Sequence, residues 1–228
     1  MRTRNNVMIL DTETVGDFGH PLVHDIGYVI IDRNFNVLKK ARFLVKELHV
    51  HGQWILDTSD FYAGYKKDYA IARKHEMIKR WNAIANEIKA DIHTYKVTTI
   101  SAYNLAFDYR AINYTEKMFG EGKLTKILNQ KSKSLLCIYN LACETILQTA
   151  EYHQFAEENK FISEAGNIKT SAECAYRYIT QNAEYIEKHT ALADAEDEME
   201  ILRYIVENVR GHKDMQYGLH YNCWKKAQ

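Results

Sequence analysis

The sequence is poor in proline and cysteine and carries no net charge. It contains one proline in 228 residues, and no stretch rich in proline, glycine or serine divides it, so we predict a single domain. Its four cysteines have neither CxxC nor zinc-ligand spacing, which predicts free thiols in a reducing compartment. The 30 basic and 30 acidic residues cancel, so the overall charge does not indicate a protein that coats nucleic acid.

Long apolar runs are also absent. No run reaches membrane-spanning length, and the first residues lack the apolar region of a signal peptide, so we expect a cytoplasmic protein without a membrane partner. A hydrophobic content of 46% and a charged content of 26% are typical of a soluble globular protein with a sizeable core. We predict one domain over residues 1–228, with its core in 7–209 and a tail, 211–228, whose pattern is weak.

The order of apolar runs predicts an α/β protein with a mixed sheet. Continuous or β-branched apolar runs predict strands at 7–10, 26–31, 37–45, 97–102 and 134–138. Helical spacing and capping residues predict helices over about 60–93, 108–119, 140–158, 170–178 and 191–209. Three strands in succession, followed by strands that alternate with helices, predict an antiparallel hairpin plus parallel strands, flanked by helices.

Two carboxylates, Asp11 and Glu13, follow the first predicted strand. Side chains alternate along an extended chain, so both point to the same side, where like charges at the edge of a core repel and are costly to desolvate. A hard divalent cation relieves that cost, because such ions prefer oxygen ligands. The pattern favours a metal site, and the alternative is that Asp11 caps a turn while Glu13 is solvated.

Two later segments carry further candidate residues. Asp108 follows the strand that ends near Asn104; it faces the same sheet edge or is an ordinary helix N-cap. Asp194 lies at the start of the last predicted helix, five residues after His189. The alternatives are a surface position for Asp194, within the acidic run up to Glu198, and an exposed loop position for His189. Asp197, one turn on, is the main rival of Asp194.

The order of these motifs resembles the DEDDh family of 3′–5′ exonucleases, which includes the epsilon proofreading subunits of bacterial replicative polymerases and the oligoribonucleases. The resemblance covers 7–209 and implies an RNase H-like fold. Position 190 is threonine, where tyrosine-type relatives have tyrosine, so the histidine type is favoured. Two departures are the absence of an acidic residue around Cys137 and the long middle segment, 60–93, which matches no part of the family.

By resemblance, the site would hold two Mg²⁺ or Mn²⁺ ions about 4 Å apart. The implied ligands and base are Asp11, Glu13, Asp108 and Asp194, with His189 as the proton acceptor. Implied substrate contacts come from Thr12, Thr14, Asn104 and Phe107; Phe107 either stacks on a base or packs in the core. Six basic residues either track a strand or form a solvated face: Lys66, Lys67, Arg73, Lys74, Lys79 and Arg80.

The resemblance implies a metal-dependent exonuclease that removes nucleoside 5′-monophosphates from the 3′ ends of single-stranded DNA. One alternative is the same chemistry on short RNA, since the sequence does not indicate whether the 2′-hydroxyl is tolerated. Another is a proofreading subunit whose main role is to bind a DNA polymerase. All five motif positions are filled, which argues against a catalytically inactive relative, and 211–228 shows no recognisable polymerase-binding motif.

Overall fold

The computed structural model describes most of the chain, namely residues 6–17, 19–59, 62, 64, 69, 77–121, 128 and 133–209. The strands are β1 (Asn6–Val15), β2 (Leu22–Ile31), β3 (Val37–Val45), β4 (Ile78–Lys79), β5 (Val97–Ala102) and β6 (Ser134–Cys137). The helices are α1 (Gln53–Leu56), α2 (Trp81–Thr94), α3 (Leu105–Phe119), α4 (Ile138–Thr145), α5 (Ala150–Glu158), α6 (Ala172–Thr180) and α7 (Ala191–Asn208). None of the helices in these described ranges has the length and apolarity needed to cross a membrane.

The described strands form one mixed sheet in the order β4-β3-β2-β1-β5-β6. The first three strands are antiparallel neighbours, β5 runs parallel to β1, and β6 runs parallel to β5. Because β1 and β5 are parallel, their carboxyl ends meet at one edge of the sheet. This mixed sheet with flanking helices confirms the predicted fold class.

Helices cover both faces of the sheet, and β1 contributes side chains to both layers. Met8 and Leu10 pack with residues of α2 and α3, whereas Ile9 packs with residues of α4 to α7. Asp11 and Glu13 lie two and four residues after Ile9 in the same strand. Because side chains alternate between the two faces of a sheet, both carboxylates point into the layer that contains α7. The alternation within β1 therefore directs both carboxylates toward the last helix.

Several predicted boundaries are wrong. β1 continues to Val15, so the two carboxylates lie within the strand and not after its end. Ile78, predicted to be helical, pairs with Leu44 of β3, and the described helix of this region begins at Trp81. The predicted helix over 140–158 is divided into two helices, α4 and α5. The strand predicted over 134–138 ends one residue earlier, at Cys137. Most of 60–77 and the tail, 210–228, lie outside the described residues.

Helix starts also differ from the predicted ones. α3 begins at Leu105 with Asn104 as its N-cap residue, so Asp108 is the fourth helical residue and the N-cap alternative for it is wrong. The hydroxyl of Ser171 accepts a hydrogen bond from the Cys174 N–H at the start of α6, one residue later than the predicted capping box. Because α3 begins at Leu105, before the predicted start at 108, Asp108 lies within the helix and its side chain is only 4% exposed.

Candidate active site

A cavity of about 220 Å³ opens at the carboxyl end of β5, beside residues 11–13 of β1. Its wall comes from β1, the β5–α3 turn, the start of α6 and the start of α7. The lining residues are Asp11, Thr12, Glu13, Tyr103, Asn104, Phe107, Asp108, Ala172, Glu187, His189, Asp194 and Glu198. Segments far apart in sequence thus contribute acidic side chains to one concave surface.

A threonine between the two carboxylates of the first motif connects that motif to the second one. The Thr12 hydroxyl donates a hydrogen bond of 2.8 Å to Oδ1 of Asp108. Because β5 pairs with residues 6–9 of β1 and then leads into α3, the first turn of α3 brings Asp108 beside Thr12. The backbone N–H groups of Thr12 and Asp108 also donate to this carboxylate, so its orientation is fixed by several hydrogen bonds.

The start of α7 is held against β2 by close packing and a buried ion pair. A Cβ added to Gly27 would lie 2.2 Å from the Leu192 nitrogen, so only glycine allows this approach. Asp25, fully buried, accepts a 2.9 Å hydrogen bond from Arg42 Nε and one of 3.4 Å from the Ala191 N–H. These contacts fix the first turn of α7, which carries Asp194.

His189 reaches the cavity from a residue with left-handed backbone geometry (φ 51°) just before α7. Its carbonyl accepts a 3.3 Å hydrogen bond from the Tyr69 hydroxyl, which ties the residue to the rest of the structure. Nδ1 lies 3.6 Å from the Glu187 carboxylate. Burial lowers the pKa of His189, so the neutral imidazole that can accept a proton persists to lower pH.

The clustered carboxyl groups have strongly perturbed acidity. Burial, and then the negative charges of neighbouring carboxylates, raise the pKa of Asp194 to about 10 and that of Asp11 well above its ordinary value. Burial and the nearby Asp11 raise the pKa of Glu13 to about 8, although a hydrogen bond with Asp194 opposes the rise. Burial raises the pKa of Asp108 to about 7 against the opposing hydrogen bond from Thr12. The protein alone therefore lacks the positive charge that this cluster needs.

The donor atoms fit divalent cations. One ligand atom each from Glu13, His189 and Asp194 lies within 4.8 Å of the others, a compact set that could hold a metal ion. Oδ1 of Asp194 is buried and has no hydrogen-bond partner. Among the described residues that line the cavity, none is lysine or arginine. The carboxylate oxygens of this cavity, with no lysine or arginine among the described lining residues, are the kind of donor that Mg²⁺ or Mn²⁺ prefers, and the imidazole of His189 lies beside them.

Two acidic residues of the cavity were missed by sequence reasoning. Glu187 precedes the third motif, and burial raises its pKa to about 7. Glu198 lies one helical turn after Asp194, in an acidic run whose pattern is typical of a solvent-exposed helix face. Its side chain is nevertheless only 3% exposed. Its spacing of four residues from Asp194 was the available signal, because residues i and i+4 share one face of a helix. The rival Asp197 is not a lining residue and instead accepts a hydrogen bond from the Tyr185 hydroxyl.

The implied substrate-contacting residues fall into two groups. Thr12, Asn104 and Phe107 line the cavity, with Asn104 exposed at the N-cap of α3 and Phe107 partly buried. Thr14 is not among the lining residues. Of the basic residues, Lys79 pairs with Glu87 outside the cavity, and four others lie outside the described residues: Lys66, Lys67, Arg73 and Lys74. The role of each in binding remains a prediction.

Solved structures of E. coli exonuclease I share this fold. The complex with a dA16 oligonucleotide has a TM-score of 0.57 and 16% identity, and the match covers 92% of this chain and 42% of that one. The zinc-ion-bound form of an E. coli ExoI–ssDNA complex has a TM-score of 0.56 and 15% identity over 92% and 42% of the two chains. A product-bound exonuclease I structure has a TM-score of 0.56 and 16% identity over 92% and 45%.

The mixed sheet and its flanking helices match an RNase H-like fold. The chain spans less than half the length of these neighbours. No protein-family profile matches the chain, and no curated protein sequence matches it. At this identity the likeness establishes the fold, whereas the chemistry has to be argued from the cavity.

Proposed function

We propose that this protein is a metal-dependent 3′–5′ exonuclease that hydrolyses single-stranded DNA to nucleoside 5′-monophosphates. The observation that carries the proposal is the convergence of three separated motifs on one cavity. Its walls contain the five residues that the DEDDh resemblance implies: Asp11, Glu13, Asp108, His189 and Asp194. A fold shared with exonuclease I supports the same reading.

The carboxylates would hold two divalent cations. By resemblance, Asp11, Glu13 and Asp194 would hold the first and Asp11 and Asp108 the second. When bound, the cations would neutralise the scissile phosphate and lower the pKa of the attacking water. The Thr12 hydroxyl orients the Asp108 carboxylate by its hydrogen bond, which fixes the geometry of that ligand.

His189 would accept the proton of the attacking water. Its burial favours the neutral imidazole, the form that acts as a base. Glu187, 3.6 Å from Nδ1, would orient the ring. The 3′ oxygen then leaves with the shortened strand, and the released nucleotide retains the 5′ phosphate.

DNA is the favoured substrate because the structural neighbours hold single-stranded DNA oligonucleotides. Asn104 and Phe107, at the rim of the cavity, would contact the terminal nucleotide. RNA is the second candidate, because an open cavity of this kind does not by itself exclude a 2′-hydroxyl. A polymerase partner has no support among the neighbours, so we do not retain it.

The test compares matched 5′-labelled DNA and RNA oligonucleotides, single- and double-stranded, with Mg²⁺, Mn²⁺ or EDTA. We expect stepwise shortening of single-stranded DNA from the 3′ end with metal only. Asp194→Asn should lower the rate by at least about a hundredfold, because a ligand is lost. Asp197→Asn makes the same chemical change on the same helix but outside the cavity, and this variant should retain the activity. Equal activity of Asp194→Asn and wild type would refute the assignment.

A further inference from the structure

Glu198 is a buried carboxylate in the floor of the cavity that none of the three motifs contains. It lies on α7 one turn after Asp194. Both side chains are therefore on the same face of the helix, which faces β1. Its side chain is only 3% exposed, and it is a lining residue of the cavity. A carboxylate in such a position is costly unless it meets an opposite charge or a proton.

One oxygen of Glu198 has no partner. The backbone N–H of Tyr103 donates to the carboxylate, whereas Oε2 is buried without a hydrogen bond. The Oδ1 atom of Asp194 is also buried without a hydrogen bond. Two orphaned carboxylate oxygens on adjacent turns of one helix, both at the cavity, indicate a shared external partner.

The surroundings of Glu198 indicate which part of the cavity it serves. Tyr103, whose N–H donates to Glu198, lies in the β5–α3 turn that leads to Asp108, and the negative charges of Asp11 and Asp108 also raise the pKa of Glu198. The compact set that could hold a cation on the other side consists of Glu13, His189 and Asp194. No lysine or arginine is among the described lining residues, so the protein itself offers Glu198 no counter-charge, and a bound cation can replace the proton that this carboxyl group otherwise retains.

We propose that Glu198 is a fifth carboxylate of the metal centre, where its Oε2 serves the divalent cation on the Asp11–Asp108 side; this rests on the proposed function. By resemblance this cation has two motif ligands, Asp11 and Asp108, against three for the other, so we expect it to be the less tightly held one, and Glu198 increases its affinity. The N–H of Tyr103 orients the carboxylate toward the cavity, in the manner of other hydrogen bonds that fix metal ligands.

The test measures Mn²⁺ binding to the full chain by calorimetry, with free Mn²⁺ counted by electron paramagnetic resonance. Glu198→Gln keeps the shape of the side chain and an acceptor for Tyr103 but removes the charge. We expect wild type to bind two Mn²⁺ ions and Glu198→Gln to raise the dissociation constant of the weaker one by roughly tenfold. Glu207→Gln, on the same helix but exposed, should bind Mn²⁺ as wild type does.

Melting temperatures in EDTA and in Mn²⁺ give a second readout that is independent of activity. We expect Glu198→Gln to melt no lower than wild type in EDTA, because the neutral amide needs no proton uptake to be buried, and to gain less from Mn²⁺. A role confined to packing predicts a lower melting temperature in both conditions and the wild-type gain from Mn²⁺, which would overturn the inference. If Glu198→Gln does not fold, Glu198→Asp withdraws the oxygens by one methylene and is measured in the same way.

The controls separate this inference from the proposed function. If Asp11→Asn loses Mn²⁺ while Glu198→Gln keeps both dissociation constants unchanged, the metal centre stands and the role of Glu198 is refuted. If wild type binds no Mn²⁺, the metal-dependent function and the role of Glu198 are both refuted. Weakened binding in Glu198→Gln, with Glu207→Gln unchanged, supports the inference.

Discussion

His189 is the residue whose protonation should govern the rate at acidic pH. Burial lowers its pKa below the ordinary histidine value of 6.5, so the rate should fall only below that pH, where the imidazole becomes charged. His189→Asn tolerates the left-handed backbone of this position and removes the base. We expect its single-turnover rate to drop by about a hundredfold or more and its acidic limb to shift or disappear. Measured between pH 5 and 8 with saturating Mg²⁺, an unchanged profile would identify a different base.

The motif residues were predictable because each couples a chemically distinctive side chain to a strand end or helix start. Asp11 and Glu13 interrupt an apolar run, and a carboxylate pair in that position has few purely structural uses. Glu187 and Glu198 were not predictable in the same way. Glu198 lies in an acidic run and Glu187 in the loop before α7, and only the tertiary packing shows that these two carboxylates line a cavity.

At the scale of elements, the approach of α7 to β2 depends on Gly27. The added methyl group of Gly27→Ala would lie 2.4 Å from the Ala191 carbonyl carbon and closer still to Leu192. Because both contacts are with backbone, the helix start must move. We expect a loss of about 1–3 kcal/mol in the free energy of unfolding, measured by denaturant titration.

The same displacement should lower the nuclease activity, because His189 and Asp194 flank the helix start. Gly64→Ala is the matched control, since nothing lies within 4 Å of a Cβ at that exposed position. If Gly27→Ala retains wild-type stability and rate, the close contact does not position the third motif.

The interiors of elements were predicted better than their ends. The strands 37–45 and 97–102 have the bounds expected from their apolar runs. β1 was predicted to stop at Leu10 because the next residues are polar, yet pairing with β2 continues it to Val15. Thr12 is buried in that extension by its contact with Asp108, a residue 96 positions away. A long-range contact of this kind leaves no local signal in the sequence.

The whole molecule concentrates uncompensated negative charge at one edge of its sheet while the formal net charge is zero. The six lining carboxylates are Asp11, Glu13, Asp108, Glu187, Asp194 and Glu198. The basic residues that balance them lie elsewhere, for example Lys40 with Glu196 and Arg203 with Glu200. Such a separation strengthens cation binding locally without a net acidic protein.

The stability of the whole molecule should therefore depend on pH and on metal together. The folded-state pKa values of Asp108, Glu13 and Asp194 are raised to about 7, 8 and 10 from ordinary values of 3.8, 4.5 and 3.8. The folded protein thus binds more protons than the unfolded chain, and the associated stability is fully present below pH 4 and is lost as pH rises through these values. In EDTA, we expect the melting temperature to fall steadily between pH 6.5 and 9, a window above the opposing titration of His189.

Divalent cations should remove this dependence, because they replace the protons that the cluster otherwise retains. With Mg²⁺ or Mn²⁺ present, the melting temperature between pH 6.5 and 9 should stay level or rise, so the gain from metal grows with pH. Asp194→Asn removes one raised carboxyl group and should show a shallower fall in EDTA and a smaller gain from metal. A wild-type melting temperature in EDTA that is flat across this window, or a metal gain that is equal at pH 6.5 and 9, would contradict the buried carboxylate cluster as the origin of the effect.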